Sequence, residues 1–106
     1  MNRYIATLLL AFSGSAFADN YIQGGLLLKS CESQFKSVSW TFCSGYLTAA
    51  AEITAMLPES GICVPEEPWQ RDLHEIFTQY ANLNPEKLNG DARHLVMAAF
   101  KRSYPC

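Results

Sequence analysis

The chain has 106 residues, 49% of them hydrophobic, with 8 basic against 10 acidic side chains. That size sets a single small core. The slight acidity and the absence of any Lys/Arg cluster beyond Lys101-Arg102 argue against a nucleic-acid partner, whose phosphates demand a basic stripe.

The chain opens MNRYIATLLLAFSGSAFA. Arg3 precedes an apolar run from Ile5 to Phe12, and Ala16-Phe17-Ala18 forms an A-x-A site. This pattern predicts a secretory signal peptide over residues 1–18, cleaved after Ala18. The apolar run falls well short of the roughly 20 residues that span a bilayer, so a membrane anchor is not expected. No cysteine follows the cleavage site to carry a lipid. The short signal has a bacterial look, which makes the periplasm the expected compartment. The remainder, residues 19–106, is expected to form one helical domain. At roughly 90 residues it buries only about 60–65% of its unfolded surface, a marginal core.

A first helix is predicted from about Asn20 to Ser30, with Ile22, Leu26, Leu27 and Leu28 on its apolar face and Gly24-Gly25 weakening it. A second runs from about Ser39 to Leu57, capped by Ser37 or Ser39. Its apolar positions are Phe42, Tyr46, Ala49, Ala50, Ile53 and Leu57. Gly45 in its interior costs about 1 kcal/mol relative to Ala, and close approach of a neighbouring helix is the expected reason. Pro58 ends this helix. Residues Pro58 to Pro68, PESGICVPEEP, read as a loop, with prolines that exclude regular structure.

A third helix is predicted from Pro68 to Asn82 on the stripe Trp69, Leu73, Ile76, Phe77 and Tyr80. Asn84-Pro85-Glu86 starts a single turn over Pro85–Asn89, with Asn84 as its cap. A fourth helix follows from Asp91 to Ser103, with Asp91 as cap and Ala92, Leu95, Val96, Ala99 and Phe100 buried. No strand pair or repeat is visible. The fold class is all-α, a small bundle of about four helices stapled by two disulfides.

The staples follow from the cysteines. Cys31, Cys43, Cys63 and Cys106 are an even set in a small exported chain, which reads as two bridges. Spacing alone allows three connectivities. If short connections make neighbouring helices antiparallel, Cys31 and Cys43 share one end of the bundle and Cys63 and Cys106 the other. Those are the favoured pairs. Chain entropy assigns them at most about 3 and about 4 kcal/mol.

Catalytic signatures are missing. There is no C-x-x-C, no G-x-S-x-G and no Gly-rich phosphate loop. His74 and His94 read as helix-surface or boundary histidines. The Cys and His spacings match no familiar zinc motif, so neither metal nor cofactor is expected. The chain is not expected to be an enzyme. Glu66-Glu67 read as a solvated acidic turn that could meet a partner.

The ordered set of motifs is more specific than any one of them. GLLLKSC (Gly25–Cys31) is followed by FCSGYLTAAAE (Phe42–Glu52), ICVP (Ile62–Pro65), NPEKL (Asn84–Leu88) and a closing YPC (Tyr104–Cys106). This order resembles the Rap/Tai immunity proteins of type six secretion systems over nearly the whole mature chain. The chain departs from that pattern at Ala49–Glu52, where the family often has Gly and Asp, and at Asn84, where it often has His.

The resemblance implies a periplasmic helical protein, often a homodimer. Its partner would be a peptidoglycan amidase effector, a cysteine amidase of papain-like fold, whose active site it blocks without catalysing anything. It would thereby protect the cell from self or sibling intoxication. Glu59, Ser60, Glu66 and Glu67 on the stiff Pro58–Trp69 loop are the expected contacts. Two competing readings are a small periplasmic helical chaperone of the acid-protection sort and a thiol-dependent hydrolase, which needs a free cysteine.

Overall fold

The computed structural model describes residues 21–68 and 70–106. Four helices follow in order: α1 (Gly24–Cys31), α2 (Val38–Ala55), α3 (Gln70–Leu83) and α4 (Ala92–Ser103). Short 3-10 turns at Pro58–Ser60 and Pro85–Lys87 interrupt the second and third connections. Each helix packs against the other three, around Leu27, Leu47, Leu73, Phe77, Leu95, Val96 and Phe100. The expected signal peptide and Trp69 lie outside the described residues.

Both disulfides have the favoured pairing, Cys31–Cys43 and Cys63–Cys106. The helix starts are satisfied as their sequences suggest. The Ser37 hydroxyl accepts the Trp40 N–H of α2 at 3.2 Å, and the Asp91 carboxylate accepts the Arg93 N–H of α4 at 2.9 Å. Helix α4 buries all five expected residues. Asn84 does not cap its turn; its side-chain amide instead donates back to the Tyr80 carbonyl, closing the end of α3.

Two faces are rotated from expectation. In α1, Leu27 and Leu28 are buried while Leu26 is 58% exposed. In α2 the buried residues are Cys43, Ser44, Leu47, Ala51 and Thr54. The expected stripe lies about one residue round the helix, a turn of roughly 100°. Phe42 and Ile53 are 43% and 57% exposed, Ala49 and Leu57 are also exposed, and Tyr46 and Ala50 only lean on the core. The cause is that α2 carries one charged residue, Glu52, in eighteen and has no single apolar stripe. The bond from Cys43 to Cys31 then decides which side turns inward.

The glycines exchange roles for the same reason. Gly45 is exposed, and a Cβ there meets no atom of the described residues within 4 Å, so none of the four described helices crosses beside it. Close approach belongs to Gly24 instead. A Cβ at Gly24 would stand 2.7 Å from Leu95 Cδ2, with Lys87 O at 3.4 Å on another side. The Gly24 and Gly25 N–H groups, orphans of the first turn of α1, donate to the carbonyls of Gly90 and Leu88 at 2.9 and 2.8 Å. The pair that looked like a helix weakness is a docking point for the α3–α4 turn.

Gly24→Ala should therefore destabilise the protein by about 1–3 kcal/mol, since buried Leu95 must shift. Gly45→Ala should stabilise the isolated chain by up to about 1 kcal/mol through helix propensity. Urea denaturation of dilute protein reads both; equal effects of the two substitutions would contradict the packing described.

Candidate partner-binding surface

The first half of the α2–α3 connection is tied in place by several independent links. Pro58–Ser60 forms a 3-10 turn that ends on Gly61 at φ 75°, a left-handed conformation that favours glycine. The Ser60 hydroxyl accepts the Ile62 N–H at 3.1 Å. Ile62 is buried and pairs as a β-bridge with Pro105. The Cys63 N–H donates to the Tyr104 carbonyl at 2.8 Å, the Cys106 N–H to the Gly61 carbonyl at 3.2 Å, and the Cys63–Cys106 bond lies alongside. The loop is thus riveted to the C-terminus at its middle.

The four residues singled out from sequence divide around this rivet. Glu59 and Ser60 precede it; Glu66 and Glu67 follow. All three glutamates are exposed, and among the described residues the ion pair found is Arg93–Asp91, which leaves them unpaired. Ser60 is only half-exposed, with its oxygen engaged inside the loop, so it braces the turn.

A second surface was not anticipated. The outward turn of α2 leaves a shallow apolar groove of about 400 Å³ between α2 and α4. Tyr46, Ala49, Ile53 and Leu57 form one wall, Val96 and Met97 the other, with Arg93 at the rim. Met56, 80% exposed, lies one residue from Leu57, and the acidic loop begins immediately after it. An exposed apolar patch rimmed by polar groups marks an interaction surface. Sequence reading took these residues for core because their spacing is helical; nothing in the spacing says which of two apolar faces turns inward.

His74 is a third departure. It is 7% exposed, not a surface histidine, whereas His94 is exposed as expected. The His74 ring stacks on Trp40 with centroids 4.6 Å apart, and Phe35 meets Trp40 edge-on. Its Nε2 lies 2.7 Å from Ser44 Oγ and its Nδ1 3.6 Å from Cys43 Sγ. Burial holds its pKa below the ordinary value, against the opposite pull of the Cys31 carbonyl. Cys31, Cys43 and His74 are also the group of described residues whose donor atoms could share a metal, all within 4.8 Å, although both sulfurs are here bonded to each other. All four cysteines are in disulfides, which leaves no thiolate to act as a nucleophile. No helix among the described residues is long and apolar enough to cross a membrane.

Residues 23–106 match the family model described as Rap1a immunity proteins, a span that includes all four helices and both disulfides. No curated protein matches the chain.

The buried imidazole has a pH consequence. Its pKa is lower folded than unfolded, where it is about 6.5. Above about pH 7 both states are neutral and His74 adds no pH dependence. As pH falls through about 6.5 the unfolded chain takes up the proton first, so stability declines until the folded-state pKa is passed. Urea midpoints at pH 7.5 and 5.5 should fall together with pH in the native chain (conditions of about these values bracket the window). His74→Gln should flatten that decline; an unchanged slope would assign it to other groups.

Proposed function

The chain belongs to the Rap1a immunity protein family, and from that premise we propose that it is a periplasmic antidote to a peptidoglycan amidase effector of a type VI secretion system. The precursor is exported through the signal at residues 1–18 and processed after Ala18. The mature protein binds the effector and blocks its papain-like active site. It has no catalytic role.

One observation carries this reading: the Pro58–Pro68 loop presents three exposed glutamates and is tied at its middle to the C-terminus. A loop that must be ordered on binding loses about 0.5–1.5 kcal/mol for each immobilised flexible side chain, and preorganisation avoids much of that cost. The Cys63–Cys106 bond and the backbone pairing of Ile62 and Cys63 with the C-terminus supply it. Glu59, Glu66 and Glu67 are free to meet basic groups on the effector, and Ser60 holds the turn that presents Glu59.

The α2–α4 groove supports a second element of the reading, a homodimer. A two-fold contact sets the same patch of each subunit against the other, residue i meeting j and j meeting i, so a face free of unbalanced charge suits it. The Arg93 at the rim is neutralised by Asp91, and Tyr46, Ala49, Ile53 and Leu57 carry no charge. Gly45 beside this stripe leaves room for another helix to come close, though none among the described residues does.

Co-expression with candidate periplasmic amidases should restore growth, and the pair should co-purify. Alanine at Glu59, Glu66 and Glu67 together should weaken binding at least about tenfold, about 1.4 kcal/mol, with nearly unchanged thermal stability. Unchanged affinity would move the interface to a helix face. Promiscuous capture of unfolded proteins in place of a defined complex would favour the chaperone reading, to which the open apolar groove also lends itself.

Ile53→Asp should shift the protein from dimer to monomer in sedimentation equilibrium while its helical signal persists. A dimer that survives the substitution places the contact off α2.

A further inference from the structure

We propose that, once the Cys31–Cys43 disulfide is reduced, Cys31, Cys43 and His74 form a zinc site that replaces the disulfide as the staple of this end of the bundle. The residues come from three helices, α1, α2 and α3, and all are buried, at 6%, 0% and 7% exposure. Their donor atoms lie within 4.8 Å of one another.

The geometry is that of tetrahedral zinc in one pair already. Zn–S of about 2.3 Å and Zn–N of about 2.0–2.1 Å put neighbouring ligand atoms roughly 3.5–3.8 Å apart. Cys43 Sγ stands 3.6 Å from His74 Nδ1. Breaking the S–S bond frees the Cys31 sulfur to move outward to a like distance. The imidazole is also oriented for ligation. Ligation requires the tautomer in which Nε2–H donates to Ser44 Oγ, at 2.7 Å, and the Nδ1 lone pair faces the Cys43 sulfur. Fixing the tautomer through the far nitrogen is the usual outer-shell device at zinc histidines.

The fourth position opens on a groove of about 540 Å³ whose lining includes Cys31, Trp40, Arg71 and His74, where a water fits. The complex balances in charge. A dithiol or phosphine reductant delivers two electrons, two protons convert the disulfide to two thiols, and the reductant leaves oxidised. Zinc(II) then displaces those two protons, giving two thiolates, one neutral imidazole and one water around the ion with no net charge. Lys36 and Arg71, the cations lining the groove, therefore face no added positive charge. The other disulfide lacks this arrangement: Cys63 and Cys106 are exposed, and no histidine joins them among the described residues.

The sequence reading expected no metal, and for the oxidised protein the bonded sulfurs give the same expectation. The proposal concerns the reduced chain, and it is independent of effector binding.

The test titrates cobalt(II), then zinc(II), into the mature chain under anaerobic conditions, oxidised and phosphine-reduced, both as the four-cysteine protein and as the Cys63→Ser/Cys106→Ser variant. The reduced forms should each take up one cobalt(II) per chain with the visible ligand-field bands of tetrahedral thiolate coordination, and zinc should displace it. The oxidised form should show none. His74→Gln should abolish or reshape that spectrum, and Ser44→Ala should weaken zinc binding about 10–100-fold. If the reduced chain loses helicity without metal, one equivalent of zinc should restore its far-UV circular dichroism. Absence of a stoichiometric tetrahedral spectrum in the reduced chains, or a spectrum indifferent to His74→Gln, overturns the proposal.

Discussion

A helix of eighteen residues with a single charge could pack on more than one of its sides, and the bond between Cys31 and Cys43 selects one. With Cys43 facing α1, Ser44 meets His74 on α3, and Leu47, Ala51 and Thr54 enter the core. The opposite consequence follows at once: Phe42, Ile53 and Leu57 face out. The apolar groove against α4, and with it the surface available for self-association, is a by-product of one covalent constraint on helix azimuth. Hydrophobic burial is non-directional and roughly proportional to area, so on a helix with a single charge it discriminates weakly between faces.

The second disulfide acts on a different link of the chain from sequence to function. It contributes to stability by restricting the unfolded state, as any such bond does. Its local effect is to fix a loop that three prolines stiffen but do not by themselves aim. Ile62 is buried, Gly61 turns the backbone and Ser60 braces the turn, so the loop is anchored between Glu59 and the Glu66-Glu67 pair. In a chain with a small core, the same two bonds serve stability and presentation together.

Much of the architecture was legible in the residues. Helix α4 was read completely, cap and buried face, because its polar and apolar residues separate cleanly. Helix α3 was read well for the same reason, Leu73 and Phe77 being its anchors, yet His74, read as a surface or boundary histidine, is buried. A histidine beside a leucine at helical spacing gives no sign that it will stack on a distant Trp40 and bond to a distant Ser44. Helix α2 was found in extent and misjudged in orientation, since its composition leaves the inward face open. The acidic loop was recognised from its prolines, whereas the internal engagement of Ser60 and the groove beside the loop depend on contacts between segments far apart in the chain.

By itself the sequence determined the helical class, the positions of the helices, the cysteine inventory and the family motifs, because these rest on local periodicity, breakers and order along the chain. It also supported the disulfide pairing, since antiparallel packing brings specific helix ends together. Only the tertiary structure decided which side of α2 is core, why Gly24 must be small while Gly45 meets nothing, and that His74 is buried against a disulfide. Those outcomes depend on the relative rotation and approach of elements, quantities fixed by cross-chain bonds and packing and not by any local run of residues.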